Sequence, residues 1–289
     1  MNRVAMPLVS VLMTAYNREK FIAEAIESVL SSTYTNFELI IVDDYSNDKT
    51  VEIAKRYAAE DARISVFVNE KNLNQFPNRN RAATYATGKY IKYLDSDDKI
   101  YEWGLEYCVE MMEKYPDAGM GLLKVKEEVK EEYLTSKEAI YKNYFFRPIL
   151  NIGPSGTILR RNAFEAIGCY NGEYGVPSDM YFNLKMTSSF PIVLLEKSFF
   201  YYRVHPDQEL QNKYSYVCYN YKYINDALRI PDFPLSEDQK NFLIKKARRS
   251  FIKLFINYIK ETGHVVNAIR AIHISGLGWR GFLKGILNR

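Results

Sequence analysis

Tyr90-Ile-Lys-Tyr-Leu-Asp-Ser-Asp-Asp98 is a short, largely apolar run that stops on carboxylates. Its length and its Tyr and Ile content fit a strand. Two similar units precede it. Leu8-Val-Ser-Val-Leu-Met-Thr14 runs into Ala15-Tyr16-Asn17, and Phe37-Glu-Leu-Ile-Ile-Val42 runs into Asp43-Asp44. Between and after them the period changes. Phe21, Ile22, Ala25, Ile26, Val29 and Leu30 draw one helical stripe. Helices are also predicted over 49–60, over 78–87 with Gly88 as the stop, and over 104–115, with further strands over 64–68 and 119–125. Strands alternating with helices predict an α/β protein with a mostly parallel central sheet flanked by helices. In such sheets the ligand crevice lies beyond the carboxyl ends of the strands, where the polar clusters fall here.

The second half is less regular. Residues 127–148 lack clear periodicity and read as a variable connection. Asn151-Ile-Gly-Pro-Ser-Gly-Thr157 is a turn-rich loop before a short strand and a helix over 162–167. Ser178-Asp179 opens another helix, and 192–195 and 199–202 read as short strands. From Tyr214 onward the pattern is helical, and Ser236-Glu-Asp-Gln239 has the form of a capping box.

The 289 residues are 47% hydrophobic and 26% charged, which excludes a disordered chain, a collagen and a coiled coil. No run approaches the roughly 18 apolar residues of a membrane-crossing helix. Three cysteines (Cys108, Cys169 and Cys218) are too scattered for a disulfide framework or a zinc site, and read as packing residues. The start has no signal-peptide pattern, so a cytoplasmic location is expected. The net charge of +4 averages two unlike regions. Residues 240–289 hold eleven Lys/Arg and one acid, Glu261, or +10; the preceding residues hold 28 basic and 34 acidic side chains, or −6.

Asp95, Asp97 and Asp98 crowd four positions. Like charges so close repel unless a cation neutralises them, and hard ions such as Mn²⁺ or Mg²⁺ favour such oxygens. A solvated turn that caps the next helix is the other reading. Asp43-Asp44 can accept hydrogen bonds from a nucleotide base or ribose, or can stand beside a helix cap. No Gly-x-Gly-x-x-Gly follows the first strand and no Gly-x-x-x-x-Gly-Lys-Ser/Thr occurs, which disfavours dinucleotide oxidoreductases and P-loop NTPases.

Taken together, Val9-Ser-Val-Leu-Met-Thr-Ala-Tyr-Asn-Arg18, Phe37-Glu-Leu-Ile-Ile-Val-Asp-Asp-Tyr-Ser46, Asn69-Glu-Lys-Asn-Leu73, Asn78-Arg-Asn-Arg-Ala82 and Gly88-Lys-Tyr-Ile-Lys-Tyr-Leu-Asp-Ser-Asp-Asp98 resemble glycosyltransferase family 2. Gly156-Thr-Ile-Leu-Arg-Arg161, Ser178-Asp179 and Tyr202-Arg-Val-His205 continue the resemblance more weakly. It implies an inverting, nucleotide-sugar-dependent transferase of the Rossmann-like GT-A fold, with a divalent metal. Residues 1–126 would bind the donor, 127–211 the acceptor, and 212–289 would form a basic helical C-terminal extension. Thr14, Ala15 and Tyr16 would line the nucleobase pocket, with Asp44 on the base or ribose and Arg79 near the nucleotide. Asp95, Ser96 and Asp97 would form the Asp-x-Asp motif at the metal and diphosphate, Asp97 being the direct ligand and Asp98 an adjacent helper. Asp179 would be the general base, with Ser178 standing where many relatives have Glu. His205 matches a late His that in some relatives approaches the metal; a packed surface His is the alternative. The donor is expected to be a UDP-sugar and the acceptor a saccharide or lipid-linked saccharide of surface polysaccharide assembly.

Two other functions compete. A sugar-nucleotide pyrophosphorylase would bring a Gly-rich loop near its start, which is missing. A non-catalytic sugar-nucleotide-binding scaffold would not need Asp95, Asp97 and Asp179 together. Nothing points to nucleic acid, and the oligomeric state is open.

Tyr214, Tyr216, Tyr219, Tyr221 and Tyr223 can stack on sugars or pack a helix. Trp279, Phe282, Leu283, Ile286 and Leu287 fall on one helical stripe beside Arg280, Lys284 and Arg289. Such a helix fits an anionic membrane surface, making the enzyme peripheral on the inner face, or it docks on the body or a second subunit.

Overall fold

The computed structural model describes residues 6–124, 131–205 and 212–287. β1 (Val9–Ala15) leads to α1 (Ile22–Leu30), β2 (Phe37–Asp43), α2 (Thr50–Glu60), β3 (Ile64–Val68), α3 (Gln75–Thr84) and β4 (Tyr90–Tyr93). Then come β5 (Lys99–Ile100), α4 (Gly104–Lys114), β6 (Met120–Leu123), β7 (Glu132–Leu134), α5 (Ser136–Phe145) and β8 (Thr157–Arg160). α6 (Arg161–Ile167), α7 (Ser178–Ser189), β9 (Ile192–Leu195) and β10 (Phe200–Tyr201) follow. The last elements are α8 (Lys213–Ala227), α9 (Glu237–Thr262), α10 (Val265–Ile274) and α11 (Gly278–Leu287).

Eight strands form one sheet in the order β3-β2-β1-β4-β8-β6-β9-β7. β3, β2, β1 and β4 are mutually parallel, as are β6 and β9; β8 runs antiparallel to both its neighbours and β7 closes the edge antiparallel to β9. β1 alternates between two cores: Val9, Val11, Met13 and Ala15 face one, and Leu12 faces the other. Burial on both faces is why these strands read as nearly continuous apolar runs. The register sets Ala15 level with Asp43 and Leu12 level with Tyr93. The chain leaves β1 for β2 on one side and returns to β4 on the other, so the sheet reverses its order at β1. Such a switch point opens a crevice at the strand ends.

Two expectations need correction. The stretch read as a variable connection holds β7 and α5, although 125–130 lie outside the described residues. α5 has a reciprocal capping box between Thr135 and Glu138 but buries only Ala139 and Ile140, so it shows no stripe. α3 begins at Gln75 and ends at Thr84, and Gly88 is not its stop. Gly88 instead meets β1: a Cβ there would stand 2.7 Å from the Leu8 carbonyl oxygen.

The basic C-terminal region packs α8–α11 around a separate apolar cluster. Its predicted stripe divides. Phe282 packs edge-on against Phe255, with 4.9 Å between ring centroids, and Gly285 brings α11 close to Ile252. Trp279, Leu283, Ile286 and Leu287 stay exposed.

Candidate active site

A cavity of about 620 Å³ opens at the switch point, walled by the ends of β1, β2 and β4, the start of α3, the loop over 151–154, and the start of α7. Thr14, Ala15, Tyr16, Asp44, Arg79, Asp95, Ser96, Asp97 and Asp179 all line it. His205 does not, but its Nε2 lies 3.0 Å from Asp97 Oδ2 and its ring stacks on Phe21.

The two acids after β2 have different roles. Asp43 is buried with both oxygens engaged by Ser46, at 2.8 Å from its N–H and 2.5 Å from its hydroxyl. This bracing holds Tyr45 at φ 68°, a left-handed conformation that is costly for a bulky residue. Asn17 (φ 53°) and Asn74 (φ 70°, ψ 170°) also have positive φ, so three of the four such non-glycine residues among the described residues stand in or beside the loops of this cavity. Asp44 is on the cavity wall, its Oδ1 accepting from Asn69 Nδ2 and from the Leu73 N–H, each at 2.7 Å.

The carboxylates after β4 are wired individually. Asp95 receives Arg79 Nη2 at 2.5 Å, and its N–H donates to the Ser155 hydroxyl at 3.0 Å. Ser96 spends its hydroxyl on the Thr14 carbonyl at 2.9 Å, tying the loop to β1. Asp97 Oδ2 accepts from Arg18 Nε at 3.1 Å. Asp98 is buried; its Oδ1 accepts the Arg203 N–H, while Oδ2 has no hydrogen-bond partner. Burial, with Asp95 close by, pushes the Asp98 carboxyl up to about 7.

One oxygen from each of Asp95, Asp97 and Asp98 can be chosen so that all lie within 4.8 Å of one another. That spacing, all-oxygen chemistry and the orphaned Asp98 Oδ2 fit a hard divalent ion. The buried Arg79 lines the cavity beside them, and its Nε and Nη1 have no partners. Unsatisfied buried donors of this kind suit an anion.

Asp179 is in the first turn of α7 and lines the same cavity. The Met180 N–H donates to its Oδ1 at 2.7 Å, and Oδ2 faces Gly153. Desolvation outweighs that hydrogen bond and the charge of Arg79, raising the carboxyl to about 7.

The Glycosyl transferase family 2 pattern matches residues 10–168, more than half of the chain. The chain belongs to glycosyltransferase family 2. An uncharacterised glycosyltransferase of Methanocaldococcus jannaschii, MJ1057, is 39% identical over 160 residues, covering 52% of this chain and 54% of the relative. WfgD of Escherichia coli, a UDP-Glc:α-D-GlcNAc-diphosphoundecaprenol β-1,3-glucosyltransferase, is 41% identical over 107 residues, covering 37% of this chain and 42% of the relative. The chain spans about half the length of the first curated relatives it matches. Among solved structures, S. aureus TarS 1-349 in complex with UDP-GlcNAc superposes with a TM-score of 0.71 at 19% identity, over 91% of this chain and 79% of that one. That likeness is one of fold, and it agrees with the expected GT-A architecture.

Residues to which the sequence assigns no role complete the wall: Arg18, Asn72, Asn74, Gln75 and Tyr202 line the cavity. Arg18 stood inside a quoted motif, but its bond to Asp97 joins residues 79 apart and left no local signal. Among the crowded tyrosines, Tyr216 lines the cavity while Tyr221 and Tyr223 are buried packing residues.

Proposed function

We propose that the protein transfers a sugar from a nucleoside-diphosphate donor to a hydroxyl of a saccharide or lipid-linked saccharide, with inversion. One observation carries this reading: a single cavity joins Asp44, Arg79, the carboxylate cluster and Asp179. Asp44 and Tyr16 would receive the nucleoside, and Arg79 the diphosphate. Asp95 and Asp97, with Asp98 beside them, would hold Mn²⁺ or Mg²⁺, and His205 would act through its contact with Asp97. A divalent ion held there would supply Lewis-acid stabilisation of the leaving diphosphate.

The acceptor oxygen attacks the anomeric carbon while the bond to the diphosphate breaks on the opposite side. Asp179 takes the hydroxyl proton, and a carboxyl raised toward neutrality is suited to that task. One displacement inverts the centre. TarS carries UDP-GlcNAc and WfgD is named for a UDP-Glc donor, which supports UDP here. WfgD's diphosphoundecaprenol-linked acceptor supports a lipid-linked one and a place in surface polysaccharide assembly.

The test is a thermal-shift screen of nucleotide sugars with Mn²⁺, followed by assay of metal-dependent donor hydrolysis without acceptor. Ligand at about 100 times its Kd adds about 2.7 kcal/mol to stability, so a binding donor raises Tm measurably. Binding with hydrolysis supports a transferase. Binding without turnover supports a scaffold, and no binding by any nucleotide sugar removes the proposal.

We further propose that the exposed face of α10 and α11 rests on an anionic membrane. Among the described residues no helix is long and apolar enough to cross a bilayer. Leu283 and Leu287 are 55% and 82% exposed, with Arg280 and Lys284 on the same helix. The protein is expected to sediment with vesicles containing phosphatidylglycerol at low salt and to be released by salt. Leu283→Ser combined with Leu287→Ser should weaken sedimentation without lowering Tm, because both residues project outward. Unchanged sedimentation would remove the membrane role.

A further inference from the structure

β4 is buried at all four positions in the middle of the sheet, yet its third residue is Lys92. The side chain is fully buried. Its Nζ donates to the Tyr93 carbonyl at 2.6 Å and to the Ser155 carbonyl at 2.5 Å. The ammonium also lies 5.2 Å from the Phe199 ring centroid and 5.7 Å from that of Phe200. Burial draws its pKa down to about 8. An ammonium in a sheet interior is a costly choice where Met or Leu would fill similar space. No step of the proposed chemistry uses it.

Its partners give it a role. Ser155 is the middle residue of the short turn Pro154–Gly156, which enters β8. The loop just before that turn walls the acceptor side of the cavity and faces Asp179 through Gly153. The Ser155 hydroxyl in turn accepts the N–H of Asp95 at 3.0 Å. Lys92 therefore reaches from a strand of the donor side to a turn of the acceptor side, and that turn reaches back to the first residue of the carboxylate cluster. The closed path Lys92–Ser155–Asp95 begins and ends on the same segment, three residues apart, and fixes the backbone from which Asp95 and Asp97 project.

We propose that Lys92 is a positioning residue for donor binding, acting through Ser155 to set the carboxylates that receive the cation and the diphosphate. The inference rests on the nucleotide-sugar reading above. It also assigns work to two polar residues on β4 and the 154–156 turn that substrate contact does not explain.

The experiment is calorimetric titration of UDP in the presence of Mn²⁺ into full-length wild type, Lys92→Met, Ser155→Ala and the double variant, with Tm recorded for each. Lys92→Met keeps the length of the side chain and removes its charge and donors. Expected is a loss of UDP–Mn²⁺ affinity of about tenfold in Lys92→Met and a smaller loss in Ser155→Ala. The double variant should be no weaker than Lys92→Met alone, since coupled residues on one path are not additive. A Lys92→Met protein that binds as wild type despite a lower Tm overturns the positioning role, because Lys92 then serves stability alone. Additive losses overturn the route through Ser155. If Lys92→Met does not fold, Ser155→Ala decides: unchanged affinity there overturns the inference. Wild type that binds neither UDP nor another nucleoside diphosphate with Mn²⁺ fails at the level of the nucleotide-sugar reading itself.

Discussion

Asp179→Asn is expected to leave donor binding near the wild-type level and to lower the transfer rate by about 10³-fold, the scale of a lost general base. The substitution keeps the shape of the side chain, and its carbonyl can still accept the Met180 N–H that holds Asp179 Oδ1. What disappears is the capacity to take a proton. Asp179 lines the same cavity and feels the charges of Arg79 and Asp95, but the hydrogen bond to its side chain comes from Met180 and not from the carboxylate cluster, so nucleotide and metal contacts should survive. Measuring donor affinity by calorimetry and transfer by product formation separates the two effects. Full transfer by the variant would remove Asp179 as the base, and a large loss of donor affinity would move it into the donor site.

The pH dependence follows from the same residue. Burial raises Asp179 from 3.8 to about 7, and the base must be deprotonated. Transfer should therefore fall about tenfold per pH unit below 7, and this limb should be absent from the residual activity of Asp179→Asn. Stability should move the other way. Between pH 4 and 7 the folded protein holds a proton that the unfolded chain releases. The stabilising contribution of the protonated carboxyl is complete below about pH 4 and is lost as pH rises through 7. Asp179→Asn should therefore melt above wild type at pH 8, with the gap closing toward pH 4, as measured by calorimetry across that range. Asp98, also raised to about 7, adds to the loss of wild-type stability in the same window. Such a trade of stability for function is expected where a carboxyl is kept in a desolvated site.

The legible parts of this chain are those governed by local periodicity. β1, β2 and β4 announce themselves because both faces are buried, and their polar ends mark the crevice without any tertiary information. α5 is not legible in the sequence for the converse reason. Its two buried residues draw no stripe, and β7 exists through pairing with β9. The Thr135–Glu138 capping box was the available signal. α3 starts three residues before the predicted 78, with Pro77 as its third residue, because proline is tolerated in a first turn. Within the site, residue types at strand ends were readable and their partners were not. That Ser96 turns its hydroxyl to Thr14, that Asp43 braces Ser46, and that Arg18 and His205 converge on Asp97 all depend on the packing of distant segments. Lys92 carries no local signal, because an apolar run predicts a buried strand and gives no reason for one buried cation within it.

Asp97→Asn is expected to raise the Mn²⁺ concentration needed for donor binding by about 10²-fold or more, since a hard cation loses a charged oxygen ligand. Asp97 differs from its neighbours in a way that makes this test selective. Asp95 is paired with the buried Arg79, so removing its charge would also strand an arginine in the interior. Asp98 is buried, and neutralising it would change stability as well as binding. Asp97 lies on the cavity wall, and its Oδ2 is shared by the partly exposed Arg18 and by His205. An asparagine oxygen can still accept one of those bonds, so the fold should hold while the charge is lost. Asp43→Asn provides the contrast: that acid ends the neighbouring strand but is turned to Ser46 and is absent from the cavity wall, so its loss should lower Tm and leave the Mn²⁺ response unchanged. His205→Gln then divides the two readings of the histidine. A shift in Mn²⁺ affinity comparable to that of Asp97→Asn makes it a ligand, whereas a smaller shift that vanishes in the Asp97→Asn background makes it a support for that carboxylate. If Asp97→Asn itself keeps the wild-type Mn²⁺ response, the cation does not rest on this oxygen, and the spacing of the cluster reflects the folding of the loop around Arg18 and Arg79.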